Sequence, residues 1–176
     1  PGLLRENMHL FYSLSLTKED KNKIEMYKQQ IKRDTVKKKF IDIEDYLTSL
    51  ELKMTIFEDN ESIISRMSQI TQKTNQFNLT TQRYTEGDIR NFIDDLNSNV
   101  YAFSISDKFG DSGVTGLSIF LDDRDSGSAE IDTFLMSCRI IGRNIEYTFL
   151  DYIIRKIKEK KISKIKAKYI KTQKNE

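Results

Sequence analysis

Residues 129–160, AEIDTFLMSCRIIGRNIEYTFLDYIIRKIKEK, restrict the fold more than any other stretch of the chain. An apolar strand runs into Arg139-Ile140-Ile141-Gly142-Arg143-Asn144 and then directly into an amphipathic helix, from Asn144 to about Lys160, that places Ile145, Phe149, Ile153 and Ile157 on one side. Strand, turn and helix in immediate succession leave the first N–H groups of the helix without partners inside it. The helix dipole adds positive character at the same end, so such a turn takes a phosphate or pyrophosphate readily. The spacing predicts an anion on the N–H groups of Ile141, Gly142, Arg143 and Asn144, with Arg139 or Arg143 adding charge.

The flanking pattern fits an α+β (α/β) domain built on a mixed, twisted sheet with flanking helices. Ile63, Met67 and Ile70 predict a helix starting near Asn60, Phe77–Thr81 a strand, and Thr85 followed by Asp88 a helix with Ile89, Phe92, Ile93 and Leu96 on one side. Strands follow at Val100–Ser106, Val114–Leu121 and Ala129–Ser137, separated by Gly110–Gly113 and Asp122–Ser128 as turns, which predicts antiparallel neighbours. Ile162–Tyr169 returns as a strand parallel to the one before the helix. Ahead of Asn60 the chain reads as helical, with an N-cap at Thr17, helical spacing of Ile24, Tyr27 and Ile31, a short helix at Ile43–Leu50, and a brief strand from the alternation of Leu52, Met54 and Ile56. Residues 1–59 are expected to be a helical connector from an upstream domain, and 60–176 the main domain.

Composition excludes several chemistries. His9 is the one histidine and Cys138 the one cysteine among 176 residues, so neither a Ser-His-Asp nor a Cys-His arrangement is easily assembled in the main domain, and no zinc-binding spacing or disulfide framework is present. No metal is expected. A lone cysteine fits a reducing cytoplasm, and no apolar run approaches a membrane span. The net charge of +2 conceals an asymmetry: residues 153–176 hold ten basic against two acidic side chains. Lys158, Lys161, Lys164 and Lys168 are either a docking face for an acidic partner or the solvated side of a helix and an edge strand. Aromatics are sparse among them and no nucleic-acid-binding motif accompanies them.

Two readings of Cys138 stand side by side. Its position beside a helix N-terminus, with Arg139 and Arg143 close in sequence, favours a thiolate able to carry an acyl group. Alternation along the strand places it instead with Phe134 and Met136 as a small buried hydrophobe. The polar run Gln69–Asn78 is similarly open: a ligand lining, or the wet side and end of a helix.

The element order resembles the acyl-CoA N-acyltransferase fold, called GNAT, whose turn carries Arg/Gln-x-x-Gly-x-Gly/Ala; Arg139, Gly142 and Asn144 fall on the three marked positions, with Asn144 replacing the final small residue. Two longer blocks, RMSQITQKTNQFNLTTQRY from Arg66 and DTFLMSCRIIGR from Asp132, resemble the C-terminal part of FkbH-like proteins of the HAD-IIIC phosphatase and glyceryltransferase family. That resemblance implies a GNAT-like domain beside a HAD-type domain that lies outside this chain, and a sheet that continues past Asn175. It also implies binding of CoA or of the phosphopantetheine arm of an acyl carrier protein, and assistance in moving a glyceryl or similar acyl unit to its thiol. Cys138 becomes the candidate acyl carrier, and Thr74, Asn75 and Asn78 the candidate substrate lining, ahead of Arg83 and Tyr84. The alternatives are a non-catalytic module that docks the carrier protein, and a small-molecule N-acetyltransferase.

Overall fold

A computed structural model describes residues 18–123 and 126–175. Thr17 and His9 lie outside them, as do Arg124 and Asp125 of the hairpin turn expected at Asp122–Ser128. The chain forms two compact units, one running up to Leu50 and including Lys108–Gly110, the other comprising Glu51–Asp107 and Asp111 onward.

In the first unit, helix α1 spans Lys18–Lys37 and α2 spans Ile43–Ser49. Asp42 caps α2, its Oδ1 accepting the Glu44 N–H at 2.6 Å. Phe40 and Tyr46 pack their rings 5.9 Å apart, and the buried Leu50 offers its carbonyl to the Lys108 N–H. Ile24, Tyr27 and Ile31 of α1 are exposed.

The second unit is a five-stranded sheet in the order β1-β2-β3-β4-β5, formed by Lys53–Glu58, Ser98–Asp107, Gly110–Asp123, Ser128–Met136 and Lys164–Ala167. β1 runs antiparallel to β2 and β3 to β4, whereas β4 and β5 are parallel, as a helix between two strands of one sheet requires. Leu52, Met54 and Ile56 pack against the sheet's core, so the alternation read as a brief connector strand supplies the edge of the sheet, and the sheet-bearing unit begins at Glu51 rather than at Asn60.

Helices cover both faces. α3 (Ile64–Lys73) follows a 3-10 turn at Glu61–Ile63 that Asn60 caps, α4 spans Glu86–Asp94, and α5 spans Ile145–Glu159. α4 opens with a full capping box between Thr85 and Asp88, the pair picked out by spacing. Hydrogen bonds from Thr85 hold the Asp88 carboxyl below the usual carboxylate range. Alternation along β2 sorts the core: Tyr101, Phe103 and Ile105 meet Ile145, Phe149, Ile153 and Ile157 of α5, while Val100 and Ala102 meet Met67, Ile70 and Ile89 of α3 and α4. Phe149 lies 4.5 Å from the Phe103 ring and 5.4 Å from that of Phe134. Gly116 makes this packing possible, because a Cβ there would lie 1.9 Å from Phe103. Leu96, expected on the inner side of α4, falls past its end and is 82% exposed.

Two expectations fail locally. Residues 77–81 form no strand of their own; Phe77–Leu79 makes one antiparallel bridge, Asn78 to Leu135, because Asn78 and Thr80 turn their side chains into the loop. Cys138 is exposed rather than buried beside Phe134 and Met136, because β4 ends at Met136 and Cys138–Ile140 forms a 3-10 turn that breaks the alternation. No helix among the described residues is long and apolar enough to cross a membrane.

Candidate functional site

The turn between β4 and α5 is held from several directions. Ser137 donates its N–H to the Thr115 carbonyl at 2.7 Å, and Ile140 donates to Ser137 at 3.1 Å. Gly142 and Asn144 both adopt left-handed backbone, with φ of 78° and 58°. Gly and Asn tolerate this region best, which accounts for both residue types. Asn144 therefore stands at the N-cap position without acting as a capping side chain: it makes no cap hydrogen bond, and the start of α5 is left open. No heavy atom lies within 4 Å of where a Gly142 Cβ would be, so the backbone there faces free space.

The two arginines of the turn have different roles. Arg139 is exposed, its Nε donating to Ser137 Oγ at 3.2 Å. Arg143 is buried, pairs with the fully buried carboxylate of Asp107 at 3.6 Å, and donates from Nη2 to the Arg139 carbonyl at 3.0 Å. Its charge is committed to the end of β2 and to the shape of the turn. Ile141 is half-buried against the α5-side core. In the first turn of α5, Glu146 holds a buried carboxylate oxygen, Oε2, with no hydrogen-bond partner.

The residues proposed as a substrate lining lie together in the loop between α3 and α4, with their hydrogen bonds directed inward. Thr74 is buried and its N–H closes the last turn of α3 on Ile70. Asn78, also buried, donates to the Thr74 carbonyl and accepts the Thr81 N–H at 2.9 Å. Asn75 accepts from Arg83, which also reaches the Thr71 and Thr74 carbonyls. This is the helix-ending and loop-organising behaviour typical of such side chains.

The sheet forks beside this loop. β5 pairs with β4 only from Ser128 to Ile131. Beyond that point the same edge of β4 is met by the loop, with Leu79 donating to the Phe134 carbonyl at 3.2 Å and Met136 to the Phe77 carbonyl at 3.0 Å. Ile170 closes onto Leu79 at 2.7 Å, and Asn175 Nδ2 donates to the carbonyls of Asn78 and Ile170.

At the fork sits Asp132, which sequence reasoning passed over. The register between β3 and β4 steps from Ile119↔Thr133 to Phe120↔Ile131, leaving Asp132 as the extra residue of a β-bulge. Its carbonyl, lost to the ladder, accepts the Thr80 hydroxyl at 2.8 Å. Its carboxylate Oδ2 accepts the Tyr84 hydroxyl at 2.6 Å and the Thr133 hydroxyl at 2.8 Å. Burial, followed by the hydrogen bond to Asp132 and its negative charge, pushes the Tyr84 phenol well above its ordinary range, so Tyr84 keeps its proton. Thr71 Oγ1 accepts the Tyr84 N–H, the Ser68 hydroxyl donates to its carbonyl, and its ring meets Phe92 edge-on at 5.1 Å. An acid inside the apolar run Ile131-Asp132-Thr133-Phe134 was the available signal.

Among the described residues Lys158, Lys161 and Lys164 are exposed and pair with no acid, whereas Lys168 meets Glu130 at 2.6 Å. Among the described residues no group of His, Cys, Asp and Glu could hold a metal ion.

No family model and no curated protein matches this chain. Solved structures do. A ribosomal-protein-alanine N-acetyltransferase from Brucella melitensis biovar Abortus 2308 superposes with a TM-score of 0.51 at 13% identity, over 69% of this chain and 82% of that one. An aminoglycoside acetyltransferase from an uncultured soil metagenomic sample gives 0.51 at 8% identity, over 69% and 82%. A transcriptional regulator from Bacillus halodurans C-125 gives 0.51 at 15%, over 69% and 85%. At such identities the likeness concerns the fold, and with the mixed sheet, the parallel β4–β5 pair and the helices on both faces it establishes that this chain has the GNAT acetyltransferase fold.

Proposed function

We propose that the chain is an acyltransferase domain whose donor is a phosphopantetheine thioester, carried on CoA or on an acyl carrier protein. The observation that carries this reading is the uncapped start of α5 behind two left-handed residues, at the end of β4 in a GNAT fold. The residues present fit the group: Gly142 leaves clear the space a Cβ would fill, and Glu146 Oε2 offers a buried, unpartnered acceptor to an amide or hydroxyl of the arm. The N–H groups of Gly142 and Asn144 would hold the phosphate, with the exposed Arg139 supplying charge; the Ile141 N–H, also expected there from sequence, is given to the Cys138 carbonyl instead. Arg143 shapes the turn from beneath through Asp107 and the Arg139 carbonyl. When bound, the thioester supplies an acyl carbonyl activated toward nucleophiles. Fold alone fixes no reaction, so the claim rests on the site.

The finer reading follows the FkbH-like blocks at Arg66–Tyr84 and Asp132–Arg143: a glyceryl or similar acyl unit, an acyl carrier protein as partner, and a HAD-type domain acting beside this one. One observation favours a second reading, a module that docks the carrier without catalysis: beyond Ile131 the edge of β4 is already paired with Phe77–Leu79. Titrating the protein separately with CoA, acetyl-CoA and a phosphopantetheinylated carrier, and following backbone amides by NMR, tests both. CoA should shift the amides of residues 138–146. Shifts with the carrier and none with CoA support docking, and none with any of the three removes the acyltransferase reading.

Carrier binding should also depend on salt. Among the described residues Lys158, Lys161 and Lys164 have no acidic partner and they face solvent, so an acidic carrier docked there is held by screened charge. Its affinity should fall severalfold between low and high ionic strength, and replacing the three lysines by glutamine should flatten that dependence. Equal affinity at both salt concentrations would leave these lysines a solvated face.

A further inference from the structure

Three features meet at Asp132. The residue is the bulge of β4, it stands where β4 changes partner from β5 to Phe77–Leu79, and its carboxylate faces a phenol that keeps its proton. β-Bulges are used beside active sites to re-aim one side chain. The bulge has this effect here: Ala129 and Ile131 pack toward α5, as do Phe134 and Met136, while Asp132 reaches Tyr84, which packs against the core shared with α3 and α4. At about 3.3 Å per residue, Asp132 stands roughly 13 Å before the end of β4 at Met136, on the strand that leads into the Gly142 turn. A thioester anchored by its phosphate at the turn would end near this carboxylate.

We infer that Asp132 is the general base of the transfer and that Tyr84 positions it; this rests on the acyltransferase reading above. Oδ2 is held by the Tyr84 and Thr133 hydroxyls, which fixes the carboxylate and leaves Oδ1 to accept a proton. An acceptor with an amine, hydroxyl or thiol group attacks the thioester carbonyl. The new bond to carbon forms, the C–S bond breaks, the acceptor's proton passes to Asp132, and the departing thiolate takes a proton back from it. Nothing is oxidised or reduced. The Thr80 hydroxyl holds the bulge in shape through the Asp132 carbonyl, and Lys168, on the segment after β5, pairs with Glu130 two residues before Asp132.

The test compares wild type with Asp132→Asn and Tyr84→Phe, using acetyl-CoA with water or a primary amine as acceptor and reading release of free thiol. CoA-induced amide shifts at residues 141–144 are measured in parallel. Asp132→Asn should keep those shifts and lose at least 100-fold in kcat, the ordinary contribution of a positioned base. Tyr84→Phe should lower kcat with KM for acetyl-CoA unchanged, a split that mere loosening of the loop would not give. In protein labelled at tyrosine Cζ, the Tyr84 phenol should titrate at lower pH in Asp132→Asn, because the hydrogen bond and charge that raise it are gone. If Asp132→Asn fails to fold, Tyr84→Phe and Thr133→Val decide by the same kcat criterion. Unchanged turnover in Asp132→Asn, or in both fallback variants, overturns the inference. So does a wild type that binds CoA yet releases no thiol with either acceptor. Absence of CoA shifts in wild type overturns the parent reading instead.

Discussion

Replacing Arg143 with alanine should destabilise the sheet-bearing unit by roughly 3–5 kcal/mol, the usual cost of removing one member of a buried ion pair. The Asp107 carboxylate is 0% exposed and the Arg143 side chain 8%, so alanine would take the Arg143 cation away from a carboxylate at the end of β2 that has little access to water. The same substitution removes the donor to the Arg139 carbonyl, which helps set the path from the 3-10 turn into α5. Urea unfolding followed by circular dichroism measures the effect. Arg143→Met combined with Asp107→Asn should recover much of the loss, since removing both charges also removes the desolvation cost of the remaining one. A loss below about 1 kcal/mol for the single variant would mean that Asp107 is hydrated and that the arginine is free to serve a ligand, as expected from sequence.

That contrast shows where sequence reading reaches its limit. Helical spacing named Ile145, Phe149, Ile153 and Ile157, and all four are buried along α5, because a long helix on a sheet face has a single way to hide its stripe. Thr85 and Asp88 were legible for a similar reason: a capping box depends on a separation of three residues and on nothing distant. The pairing of Arg143 was not legible because its partner, Asp107, lies in another strand, and adjacency to Arg139 suggested a shared purpose. Cys138 was placed by extending the strand's alternation two residues past Met136, where the 3-10 turn had already ended it. Thr74, Asn75 and Asn78 were recognised as a group, yet which way their amides and hydroxyls turn is set by loop closure on Thr71, Thr81 and Arg83. Asp132 was hidden for another reason: a bulge shifts register without changing composition, so its neighbour Tyr84 ranked behind Thr74, Asn75 and Asn78 as a lining residue.

Gly142→Val should abolish CoA binding at the turn while leaving the sheet folded. With φ at 78°, a β-branched residue there is strained by about 1–3 kcal/mol, and relieving that strain would rotate the N–H groups that the phosphate needs. No atom lies within 4 Å of the new Cβ, so the substitution creates no clash with the core and its stability cost is limited to that backbone strain. Gly142→Asn separates the two ways binding can fail. Asparagine tolerates left-handed backbone, so it keeps the turn but fills the open space over it. If the ligand approaches the Gly142 backbone closely, the asparagine variant should also lose affinity, by tenfold or more, with its unfolding midpoint close to wild type. If only the turn's conformation matters, asparagine should bind as wild type does while valine does not. The measurement is the CoA-induced shift of the amides of residues 138–146 in each variant, alongside its thermal midpoint. Valine that binds CoA with wild-type affinity would place the donor elsewhere, and the uncapped start of α5 would then be an ordinary helix terminus facing water.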